Sequence, residues 1–138
     1  MNLGILSKQF LVDDDASPEE WGRLIEKLLP HCVVRKNGTV EIKNGRLSAR
    51  LLAKLVLSAR LVASKVNGSS VKSDVTVGEI ADFTGIPKNQ SKARAKELVD
   101  EHFAERTARG SYRARRNKID VFLDGLSGAS DAKKGGRR

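Results

Sequence analysis

Residues 76–115, TVGEIADFTGIPKNQSKARAKELVDEHFAERTARGSYRAR, carry the pattern of a helix, a tight turn, a second helix and a β-hairpin. Thr76 and Glu79 have the T-x-x-E spacing of a capping box, in which the hydroxyl accepts from a first-turn amide and the carboxylate reaches back to the cap amide. Val77, Ile80, Ala81 and Phe83 give the first helix an apolar face. Thr84-Gly85-Ile86-Pro87 stops it, because glycine tolerates the left-handed conformation and proline cannot continue a helix. In 88–101 the small or apolar Ser91, Ala95 and Leu98 recur at helical spacing, which leaves Asn89, Lys92, Ala93 and Lys96 on an opposite side that is polar and basic. Two further runs, 103–107 and 111–115, flank Ala108-Arg109-Gly110, where the glycine fits a three-residue hairpin loop ending in a left-handed residue.

Over residues 47–115 or so the chain resembles the winged helix-turn-helix family, with T-V-G-E-I-A-D-F-T-G-I matching the first helix and turn. The resemblance implies that the second helix, about 88–101, enters the major groove of double-stranded DNA. It also implies that the hairpin, about 103–115, is a wing lying along the backbone or the minor groove. Where the family usually buries valine and leucine this chain has Ser91 and Ala95, and His102 stands in place of the usual glycine at the helix end.

Upstream, a helix over about 47–66 has a main stripe of Leu51, Leu52, Leu55, Val56, Ala59, Val62, Ala63 and Val66, suited to packing on the two helices just described. Leu57 and Leu61 lie off that stripe and call for a second contact, either with the N-terminal helix and hairpin or with a second copy of the chain. Asp74-Val75-Thr76 can form a short strand beside the wing. Near the N-terminus, Ser17-Pro18-Glu19-Glu20 makes a complete helix start. Trp21, Leu24, Ile25, Leu28 and Leu29 form one stripe before Pro30, which ends that helix. Val33 to Ile42 reads as two β-prone runs about Asn37-Gly38. Residues 1–16 offer a short strand or docking arm and the acidic triplet Asp13-Asp14-Asp15, read as a solvated loop. After the wing, Asn117 is the expected cap of a last helix ending near Gly125, with Ile119, Val121, Phe122, Leu123 and Leu126 available for packing or for a partner. From Ser127 the composition falls to Gly, Ser, Ala, Lys and Arg, which buries too little surface to offset ordering entropy. The expected fold class is mainly α with small β-hairpins (α+β). An N-terminal helix and hairpin extension covers 1–46, a winged helix-turn-helix domain with a C-terminal helix covers 47–126, and a disordered basic tail covers 127–138.

The charge follows this division. Of 138 residues, 26 are Lys or Arg and 17 are Asp or Glu, a net charge of +9, and residues 1–46 carry 7 of each sign, so the whole excess lies beyond them. The absence of a long apolar run or a signal sequence leads to a cytoplasmic, nucleoid-associated expectation with no membrane partner. Cys32, as the one cysteine, cannot form an internal disulfide, and His31 and His102 are too few for a structural zinc site. His31-Cys32 reads as a partly buried pair at a strand start. No nucleophile with base and orienting acid, no glycine-rich phosphate loop and no metal cluster is visible, so neither enzymatic activity nor a cofactor is expected.

Ten basic residues against four acids in 88–118 supply a local excess of six for phosphate contacts, which confer affinity without sequence choice. Asn89 and Gln90 can pair with adenine, Lys88 and Lys92 can donate to guanine, and Ala93 can approach a thymine methyl. Arg94 borders the buried stripe and is suited to a phosphate, while Lys96 lies on the opposite, basic side of the helix. In the hairpin, Arg109 is the leading minor-groove or phosphate contact, with Arg106, Arg113 and Arg115 alongside, while Tyr112 can stack or face the core. A sequence-specific transcriptional regulator is the reading expected first, with a homodimer through the 47–66 helix or the C-terminal helix. The alternatives are a nonspecific architectural or nucleic-acid-processing subunit on DNA or RNA, and a protein-assembly module using the Leu57–Leu61 face.

Overall fold

Ser17 accepts from the Glu20 amide and the Glu20 carboxylate accepts from the Ser17 amide, closing the capping box that starts α1 (Pro18–Leu28). The computed structural model describes residues 17–43, 45–66 and 68–136, with side chains in the last helix as far as Leu126, so the arm and acidic triplet of residues 1–16 lie outside it. From α1 the chain enters a hairpin of β1 (Cys32–Val34) and β2 (Val40–Ile42), then α2 (Ala49–Ser64), capped by Ser48. A two-residue strand, β3 (Val75–Thr76), leads directly into α3 (Val77–Thr84) and, after a turn, α4 (Lys88–Asp100). The hairpin β4 (Ala104–Ala108) and β5 (Ser111–Ala114) follows, and α5 (Arg116–Gly136) closes the chain. The architecture is α+β, with five helices and two small antiparallel sheets among the described residues, one ordered β1-β2 and the other β3-β5-β4.

α2 is the hub. Leu55, Val56 and Leu57 are fully buried, and Ala59, Leu61 and Val62 nearly so, because α1, both hairpins, α3, α4 and α5 all pack around this helix. Burial on all sides explains the two apolar stripes: Leu57 and Leu61, considered above as a seam for another molecule, are consumed inside the chain. The N-terminal part does not stand apart either. Trp21, Leu24, Leu28, Cys32 and Val40 share one hydrophobic cluster with Ile80, Leu98 and Ile119. Ion pairs seal its outer face, where Lys27 reaches Asp124 at 2.9 Å and Arg116 reaches Glu20.

Two other expectations, the cap and the end of the last helix, need correction. α5 starts at Arg116, so Asn117 lies inside the helix and is not its cap. Val121 is 75% exposed, while Ile119, Phe122, Leu123 and Leu126 pack inward. The helical backbone also continues past Gly125 to Gly136, through residues where composition argued for a tail. Adding turns to an existing helix avoids the cost of nucleation, so alanine and lysine can extend it without a buried face.

Candidate nucleic-acid interface

Thr76 and Glu79 form the second capping box, and Gly85 ends α3 in left-handed geometry at φ 79°. The turn is knitted by side chains: Thr84 Oγ1 donates to the Ile80 carbonyl at 2.6 Å and accepts from the Ile86 amide at 3.1 Å. Ser91 Oγ in turn donates to the Ile86 carbonyl at 3.2 Å. This bond gives Ser91 a reason to replace a larger apolar residue, since a buried hydroxyl is tolerated once hydrogen-bonded. Ala95 and Leu98 complete the buried face of α4. At the far end His102 adopts φ 65°, with its amide donating to Val99 O and that of Phe103 to Leu98 O. These two bonds form a Schellman motif with histidine in the position where glycine is usual.

β5 pairs with β3 on one side and β4 on the other, through Val75↔Tyr112 and Arg106↔Tyr112. A bulge between Arg106 and Ala108 leaves Arg109 and Gly110 at the tip, and the Gly110 carbonyl accepts from the Val77 amide at 3.0 Å. The tip is thereby fastened to the first residue of α3. Tyr112 is buried, so its core reading holds.

Between α4 and the β4–β5 hairpin lies an open concavity of about 830 Å³. Lys88, Asn89, Lys92 and Lys96 form its helical wall, Arg106, Arg109 and Gly110 its hairpin wall, and Val77, Val99 and Tyr112 also line it. Asp100 is the one acid along it. Lys88, Lys92, Lys96 and Asp100 form an i, i+4 row, so Asp100 was legible from spacing, although residue type had directed attention to the cations. α4 opens at Pro87 with no side-chain cap and no acid in its first turn, so its positive dipole end adds to the lysines' field. Asn89 Oδ1 accepts from the Gln90 amide at 2.9 Å, leaving the Asn89 amide group to face the concavity's contents.

The other expected contacts are disposed differently. Arg94 pairs with Glu97 at 3.1 Å, and Arg113 pairs with Glu105 across the hairpin at 2.7 Å. Gln90 and Arg115 are exposed and Ala93 is half-buried, and none of these three lines the concavity. Lys88, Lys92, Lys96 and Arg109 have no ion-pair partner among the described residues. The expected cations therefore divide into those on the concave surface, where Arg106 Nε also donates to the Ala108 carbonyl, the acid-held Arg94 and Arg113, and Arg115, exposed outside both groups. Among the described residues no helix is long and apolar enough to cross a membrane, and no three His, Cys, Asp or Glu side chains gather as metal ligands.

Comparisons with protein-family models, curated proteins and solved structures give no match.

Proposed function

We propose that the chain is a winged helix-turn-helix protein that binds double-stranded DNA, reading bases with α4 in the major groove and holding the backbone with the β4–β5 hairpin as a wing. The observation that carries this reading is the concavity, where three lysines and Asn89 on a helix face two arginines on a hairpin. Unpaired cations on both walls suit a phosphodiester backbone better than a neutral ligand, because each neutralised phosphate releases a condensed counterion. Asn89 supplies the donor and acceptor geometry for adenine, and Lys88 and Lys92 supply donors for guanine O6 and N7. Base-reading groups beside phosphate-holding groups are what a sequence-specific transcriptional regulator requires. The assembly-module alternative loses its strongest feature, since Leu57 and Leu61 are buried in the chain's own core. An architectural role using phosphate contacts alone is the remaining competitor.

Selection from a randomised duplex pool at two salt concentrations separates these readings. With Lys96, Arg106 and Arg109 on phosphate and Lys88 and Lys92 on bases, the log–log salt slope is expected to be about −3, and with all five concavity cations on phosphate about −4 to −5. Enrichment of one motif, relaxed by Asn89→Ala with Lys92→Ala, supports sequence reading, whereas tight binding without enrichment favours the architectural role. Absence of duplex binding at both salt concentrations would overturn the proposal.

A further inference from the structure

Arg60, in the C-terminal half of α2, is the buried charged residue of that helix at 4% exposed, yet it does not line the basic concavity. Its guanidinium joins three separate segments. Nε donates to the Lys72 carbonyl at 2.8 Å and Nη2 to the Asp74 carbonyl at 2.9 Å, which fixes the loop entering β3. Nη1 donates to Glu79 Oε2 at 2.9 Å and to the Gly38 carbonyl at 3.2 Å, in the tip of the β1–β2 hairpin. The other oxygen of Glu79 accepts from the Thr76 amide at 3.0 Å, so one carboxylate both caps α3 and receives Arg60.

We infer that Arg60 is a positioning residue for the nucleic-acid interface and that it ties the tip of the β1–β2 hairpin to the reading elements. The inference rests on the DNA-binding reading. The path is short: Arg60 holds Glu79 and Asp74, Glu79 fixes the start of α3, and the first amide of α3 holds the Gly110 carbonyl at the β4–β5 tip. A second link runs from the Asp74 carboxylate to Thr107 Oγ1 at 3.4 Å. Movement of the guanidinium would therefore shift the hairpin wall, with Arg106 and Arg109, against the helical wall. A rigid five-donor fork suits this task, whereas a lysine at the same position presents one point of donation and cannot satisfy four separated oxygens.

Gly38 gives access to the same joint from the opposite side of the chain. It is buried at φ +94°, and a Cβ built on it would lie 3.6 Å from the Arg60 guanidinium carbon. Alanine there meets the guanidinium only at ordinary van der Waals distance, but it strains the left-handed backbone that presents the Gly38 carbonyl to Arg60, without altering any concavity residue.

The experiment compares wild type, Arg60→Lys and Gly38→Ala by amide hydrogen exchange without DNA and by duplex-DNA titration over a salt series. Each variant is also combined with Arg106→Ala plus Arg109→Ala. Exchange over 104–114 is expected to accelerate about tenfold in both single variants while exchange across α1 stays unchanged. Affinity is expected to fall about tenfold, with a salt slope shallower by about 1 to 2 as hairpin contacts are lost. In the Arg106→Ala plus Arg109→Ala background, Arg60→Lys is expected to cost little further affinity, because the contacts it positions are already gone. Fully additive losses would overturn the inference, since distant sites that act independently add. Unchanged 104–114 exchange in the variants would also overturn it, whatever the DNA result. If wild type binds no duplex, the DNA-binding reading falls and this role in binding falls with it. If wild type binds and the losses are additive, only the inference falls. Should Arg60→Lys fail to fold, Gly38→Ala carries the same comparison.

Discussion

Ser58 lies fully buried in the middle of α2, and its hydroxyl has no hydrogen-bond partner among the described residues. An unsatisfied buried donor costs about 1–3 kcal/mol of desolvation, so Ser58→Ala, which removes only the oxygen, is expected to stabilise the fold by about 1 kcal/mol. A lower midpoint in urea unfolding would mean that the hydroxyl has a partner. At Cys32, burial pushes the thiol up to about 11, outweighing the nearby Lys43 charge that favours the thiolate. Native protein at pH 8 is therefore expected to resist a thiol reagent that labels the unfolded chain at once, and fast native labelling would show that the β1 region opens. The buried His31-Cys32 pair was legible because β-prone residues follow it. Arg60 was harder to read, for a lone arginine amid apolar residues on a helix has meaning only once its four acceptors are known.

At the scale of elements, both capping boxes and the Asn-Gly hairpin formed from local chemistry, as side chains three residues apart satisfied terminal amides. Thr76→Ala is expected to cost about 1 kcal/mol, seen as a lower midpoint in thermal or urea unfolding; an unchanged midpoint would show the cap to be dispensable. His102 poses the opposite case, because a left-handed non-glycine residue carries about 1–2 kcal/mol of steric cost. His102→Gly should raise the unfolding midpoint, and a decrease would reveal that the imidazole makes a stabilising contact. The exposed face of α4 followed from helical spacing, including the lysine row. Spacing offered Glu97 to Arg94 as an i, i+3 neighbour but could not supply the partner of Arg113. Arg94 is held by Glu97 within the helix, and Arg113 by Glu105 across a hairpin whose register decides which residues face one another.

For the whole molecule, stability should decline with acid in two pH ranges. Burial lowers the His31 value, so the fold favours neutral imidazole, and the stability this confers is present above the unfolded value of about 6.5 and lost as pH falls from there. Burial raises the Glu79 value, but the Thr76 amide and Arg60 outweigh it and hold the carboxyl below its ordinary value. That contribution is present above about pH 4.3 and lost as pH drops through the lower folded value. Urea midpoints measured from pH 7 to pH 3 should fall in both ranges, and a flat profile between pH 7 and 5 would contradict a His31 held neutral by burial.

The sequence by itself determined the order of the helices and hairpins, the capping boxes that begin α1 and α3, and the concentration of positive charge beyond residue 46, because these depend on neighbours within a few positions. Only the tertiary structure decided that Leu57 and Leu61 face the chain's own core, that α1 and the β1–β2 hairpin share that core, and which cations line the concavity. The physical reason is that burial and charge pairing depend on groups far apart in the chain. An apolar stripe states only that it needs a covering, and an arginine only that it needs an acceptor; the packing around α2 selects both.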